Sequence, residues 1–137
     1  SLAGEVLNRM QLPRRFPGSG FQLCIDEIAG NGWIAARQEG NETAIISSKG
    51  KILFRQSFEH QQTRRVQFFQ FAEHVAIISI LDQQNKKLHL FFQNGDRVEG
   101  SPIDCDMPVT MRYTEESNCF QLYAPFGKSM NLFSFQY

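Results

Sequence analysis

A glycine that opens a short strand returns along this chain at nearly constant spacing. Gly4-Glu5-Val6-Leu7, Gly50-Lys51-Ile52-Leu53 and Gly95-Asp96-Arg97-Val98 stand 46 and 45 residues apart. Between these corners lie short runs with apolar side chains at alternate positions, and no stretch keeps an apolar 3.6-residue period. A chain patterned in this way is predicted to fold into repeated small antiparallel sheets with few helices.

Three sets of strands follow. Residues 21–58 hold Phe21–Ile28, Trp33–Gln38, Glu42–Ser47 and Lys51–Phe58, parted by Ala29-Gly30-Asn31-Gly32, Glu39-Gly40-Asn41 and Ser48-Lys49-Gly50. Alternation in the last run places Ile52, Phe54 and Phe58 on one face. Residues 65–103 hold Arg65–Phe71, His74–Leu81, Lys87–Gln93 and Arg97–Ile103. The run from Val75 to Leu81 is apolar on both faces and is expected to be an inner strand covered on both sides. Asn94-Gly95 between two alternating runs is a strong hairpin signal, and Pro102 suits an outer edge. Residues 109–137 hold Val109–Glu116, Cys119–Ala124 and Met130–Tyr137. A further strand over Glu5–Leu12, with Val6, Met10 and Leu12 on one side, is available as the fourth strand of this last unit. Pro13-Arg14-Arg15-Phe16-Pro17-Gly18-Ser19-Gly20 reads as a loop, because its prolines and glycines exclude a helix.

Short strands at this period have the spacing of β-propeller blades, each a four-stranded sheet. Particular residues carry the likeness further. Lys87-Leu-His-Leu-Phe-Phe-Gln-Asn-Gly95-Asp-Arg-Val-Glu-Gly100-Ser-Pro-Ile103 resembles the strand–turn–strand repeat of uncharacterised bacterial β-propeller proteins, whose blades carry Leu-Tyr-Leu-Phe-Asp-x-x-Gly-x-x-Val-x-Gly-x-Pro. Gly50-Lys-Ile-Leu-Phe54 resembles the Gly-Lys-x-Leu-Trp strand of quinoprotein-like blades, with Phe54 where Trp is usual. The Trp-Asp and Gly-His pairs of WD40 blades, the double glycine of kelch and the Asp-box of sialidases are missing, as is any quinone-cofactor set. The resemblance implies an all-β scaffold of about three blade units, a partial propeller of a kind that usually binds something. It transfers no active residue and no cofactor.

Three such units would not close a ring. A piece of a larger propeller is therefore the first expectation, a homodimeric six-bladed ring the second, and another all-β sandwich or roll the third. The chain begins at Ser1 and enters at once on what reads as the last strand of a repeat, which fits a processed protein or an excised piece. No signal peptide is recognised, and the compartment stays open.

Composition narrows the partners. Fourteen Lys+Arg balance fourteen Asp+Glu, so no global field draws the chain to nucleic acid. No apolar run is long enough to span a membrane as a helix. Thirteen Phe suit sheets stacked face to face. Cys24, Cys105 and Cys119 read as structural thiols ahead of a Cys105–Cys119 bridge, and both ahead of a metal site.

Candidate chemistry is sparse. His60, His74 and His89 stand at no metal-ligand spacing, and His89 faces opposite to Leu88 and Leu90 with a surface or sheet-packing role. Glu115-Glu116 and Asp104-Cys105-Asp106 are short acidic clusters that read first as solvated loops. Gly18-Ser19-Gly20 is not a nucleophile elbow, and Asn41-Glu42-Thr43 fits a glycosylation sequon. The doublets Arg14-Arg15 and Arg64-Arg65 sit at the connections between successive units, and the third connection carries Asp104 and Asp106. On one rim these residues would suit a protein partner or an acidic ligand, because guanidinium groups form planar donor forks. Solubilising surface arginines are the plainer alternative. A non-enzymatic interaction or ligand-binding module is the leading expectation. The runner-up is a carbohydrate-directed or hydrolytic enzyme whose carboxylates converge only on folding.

Overall fold

The computed structural model describes residues 20–23, 34–59, 64–72 and 75–137. Within them the chain is all-β, with a single 3-10 turn at Glu115–Ser117. A first sheet joins β1 (Gly20–Leu23), β2 (Ile34–Glu39), β3 (Glu42–Ser47) and β4 (Ile52–Ser57) in chain order. A second joins β5 (Arg64–Ala72), β6 (Val75–Asp82), β7 (Lys87–Phe92) and β8 (Ile103–Asp104), and a third joins β9 (Thr110–Thr114), β10 (Cys119–Phe126) and β11 (Ser129–Gln136). Every pairing is antiparallel between consecutive strands.

The second sheet is the centre of the molecule. Alternate side chains of β6 point to opposite faces, so Ala76, Ile78 and Ile80 pack with Ile34, Ala36 and Ile45 of the first sheet. Ile77 and Leu81 face the other way, toward Met111, Phe120 and Leu122 of the third. The double-sided apolar pattern of this strand thus reflects two separate cores. Aromatic rings fill the second core: Phe71 and Phe135 lie 5.6 and 4.9 Å from Phe120, within the range of favourable ring pairs.

Gly50 and Gly95 occupy the same place, between the third and fourth strands of their sheets. Ser47 N–H donates to Lys51 O at 2.8 Å and Gly50 N–H to Ser47 O at 2.9 Å; Phe92 N–H donates to Asp96 O at 2.8 Å and Gly95 N–H to Phe92 O at 2.9 Å. Gly95 has φ +91°, and a Cβ there would stand 2.8 Å from Cβ of Phe54 in the neighbouring sheet. Glycine at this corner therefore serves both the turn and the close approach of the two sheets. The first corner, Gly4, and the strand expected over Glu5–Leu12 lie outside the described residues, as do Cys24, His60 and His74.

Two expectations need correction. The strand expected over Arg97–Ile103 is reduced to one bridge, Phe91 with Arg97, and the two residues of β8. Ser101 N–H turns back to Val98 O, Gly100 takes φ +86°, and the hydroxyl of Ser101 accepts the Leu90 N–H at 2.8 Å. The side chain thus replaces a rung of the ladder that the turn removes. In β4 the period-2 pattern also slips. Ile46 pairs with Ile52 and Ile45 with Phe54, so Leu53 is an extra residue, and both Leu53 and Phe54 pack against the core. Cys105 and Cys119 are both free thiols.

Candidate functional site

Strand register draws together charges that are remote in sequence. Arg64 stands opposite Asp82, Asp82 opposite Lys87, and Lys87 opposite Asp104. Residues directly opposite share a sheet face, so these four form a row of alternating sign across the end of the second sheet.

Arg64 is the enclosed end of that row, only 2% exposed. Its Nε donates to Thr43 Oγ1 at 2.9 Å, and one Nη donates to the carbonyls of Glu42 at 3.0 Å and Gly40 at 3.2 Å. The guanidinium carbon lies 4.7 Å from the centre of the Phe58 ring. Burial lowers its pKa and Asp82 opposes that shift. The main chain is clamped as well. Arg64 N–H donates to Gln38 Oε1 at 2.7 Å, while Gln38 Nε2 donates back to Arg64 O.

Asp82 is buried and bonded to the turn that follows it. Its Oδ1 accepts from Asn85 N–H at 3.2 Å and its Oδ2 from Asn85 Nδ2 at 2.9 Å. Lys87 Nζ pairs with Asp104 Oδ1 at 2.5 Å on the open side of the row. His89 follows two residues along β7 on the same face, with its ring edge-on to Phe58 at 4.9 Å. Arg97 Nη1 lies 3.1 Å from His89 Nδ1. A guanidinium only donates, so Nδ1 accepts and the ring proton sits on Nε2. Burial first, then the Arg97 charge, pushes the His89 pKa down to about 4, with Asp82 pulling the other way. A cleft of about 590 Å³ opens beside these groups, lined by Phe58, Glu59, Asp82, Asn85, Lys87 and His89 among others.

Arg14 and Arg15 lie outside the described residues. The Arg64-Arg65 doublet is divided by the pleat: Arg64 is buried and bonded inward, whereas Arg65 is exposed. The expectation of a paired guanidinium fork at this position is corrected by that alternation. Asp104 joins the charge row. Asp106 serves the connection to the third sheet, where its Oδ2 accepts Gly127 N–H at 2.8 Å and its own N–H donates to Pro125 O at 3.0 Å. Sequence reading passed over Asp82, Lys87 and Gln38. No local signal marks them, because only the register of paired strands makes them neighbours.

Among the described residues no group of three or more His, Cys, Asp or Glu could hold a metal ion, and no helix is long and apolar enough to cross a membrane. No family model, curated protein or solved structure matches the chain.

Proposed function

We propose that the chain is a non-enzymatic binding module, built from sheets that resemble β-propeller blades, which takes a protein segment or an acidic ligand at the cleft beside the charge row. The supporting observation is the state of the groups around that cleft. His89, with a pKa near 4, is neutral at pH 7 and far from the value that suits a general acid there. Asp82 has both oxygens bonded to Asn85, and Arg64 is spent on the fold. Such groups present fixed donors and acceptors, which serve recognition better than proton transfer. Lys87 is the accessible cation of the row, and an incoming carboxylate would compete with Asp104 for it.

The blade reading is supported by the two glycine corners with the same hydrogen bonds and by three antiparallel sheets stacked in chain order. Titration calorimetry with a short oligo-glutamate peptide tests the binding reading. The native chain should take it up, Lys87→Glu should abolish uptake, and added salt should weaken it. Equal uptake by Lys87→Glu, or none by the native chain, would end this assignment. Release of reducing ends from a polysaccharide panel would put a hydrolase in its place.

A further inference from the structure

Asn94, exposed to solvent, and Gly95 form the corner between β7 and Arg97, whose bridge to Phe91 closes the hairpin. An asparagine followed by glycine can modify itself, because no Cβ on the glycine hinders attack by its nitrogen. The Gly95 amide gives up its proton and attacks Asn94 Cγ. A bond from that nitrogen to Cγ forms, the Cγ–Nδ2 bond breaks, and ammonia leaves with the proton. Water then opens the cyclic imide at one carbonyl or the other, leaving aspartate or an isoaspartate linkage.

The turn itself does not demand this pair. The Gly50 corner makes the same two backbone bonds with Lys49 in the place of Asn94 and Lys51 in that of Asp96. At the Gly95 corner both reacting groups are already engaged. Gly95 donates the proton it would have to lose to Phe92 O at 2.9 Å. Asn94 Oδ1 accepts the Asp96 N–H at 2.9 Å, and Asn94 Nδ2 donates to Asp96 Oδ2 at 2.8 Å. The carboxamide is thus held at both ends, and bringing Cγ onto the nitrogen breaks these bonds. Reaction waits on opening of the corner.

We propose that Asn94-Gly95 is a latent self-modification site, and that the Asp96 carboxylate is the positioning group that keeps it shut while the hairpin is closed. The change would be permanent. An isoaspartate linkage runs the main chain through the former side chain and lengthens it by a methylene. Phe92 N–H bonds to Asp96 O at 2.8 Å across this stretch, and a Cβ on Gly95 would already stand 2.8 Å from Cβ of Phe54. A longer corner does not fit there, so a converted chain loses the close approach of the first and second sheets.

Incubation of the full chain in mildly alkaline buffer tests the proposal. Conversion is read by mass and isoaspartate content on the tryptic peptide of residues 88–97, which holds no other asparagine. The native chain should convert at least about tenfold more slowly than a synthetic peptide of the same residues. Asp96→Ala removes the acceptor and should speed conversion about fivefold. Asp96→Asn keeps an acceptor oxygen and should stay within about twofold of the native rate. Amide exchange along β6 checks that each variant stays folded. Native conversion at the rate of the peptide would overturn the proposal, as would Asp96→Ala at or below the native rate. So would equal acceleration by Asp96→Ala and Asp96→Asn, which would trace the effect to charge rather than to the bond.

Discussion

With its guanidinium enclosed by Thr43, two carbonyl oxygens and the Phe58 ring, Arg64 ties the start of β5 to the neighbouring sheet. Arg64→Ala strips these acceptors of their donor and leaves Asp82 facing an empty site, so stability should fall by about 3 kcal/mol in urea unfolding. Arg65→Ala, one residue on but exposed, should change it by less than about 0.5 kcal/mol. His89 sets a pH dependence. Its folded pKa of about 4 lies below the ordinary 6.5, so the unfolded chain binds the extra proton between these values. The stabilisation is whole above pH 6.5 and is lost as the pH falls to about 4. Discounted for the exposed part of the ring, the loss is about 2 kcal/mol, and His89→Gln should flatten it in unfolding curves taken across that range. Gly95→Ala would force a Cβ into Phe54 at a positive φ, with a cost of about 2 kcal/mol in the same assay.

Between elements, glutamine amides do work that sheet ladders cannot. Gln38 clamps both backbone groups of Arg64, and Gln67 does the same to Val109, accepting its N–H at 2.9 Å and donating to its carbonyl at 3.2 Å. Each clamp joins one sheet to the residue at or just before the first strand of the next. Gln67→Leu should leave two buried backbone groups unbonded and lower stability by about 2 kcal/mol, read as a shift of the urea midpoint. None of this is legible in sequence, since Gln38 and Gln67 look like ordinary polar positions of alternating strands. The strands themselves were legible where apolar or alternating runs were bounded by polar and glycine-bearing turns, as along β2, β3, β6 and β7. Legibility failed from Arg97 to Ile103, where a side-chain hydroxyl substitutes for a rung, and at Leu53, where one extra residue breaks the period. The candidate site was half visible. Arg64 and Asp104 stood out as charges near unit boundaries, but Asp82 and Lys87 join them only through register.

At the scale of the whole molecule, three sheets lie in chain order with the second shared between two cores. Its inner strand β6 is covered on both faces, so its amides should exchange last, and Ile78→Ala should cost about 3 kcal/mol, measured by the same urea unfolding. A homodimeric six-bladed ring, the second architecture expected from the sequence, would give twice the monomer mass in sedimentation; a clean monomer would remove it.

Serial order also has a mechanical side. Among the described residues each sheet pairs strands that are neighbours in the chain, so little loop entropy opposes its formation and folding is expected to be quick for an all-β topology. Under tension applied at opposite ends, the outer sheets should peel away first, in separate steps. The doubly clad middle sheet would be the last to yield.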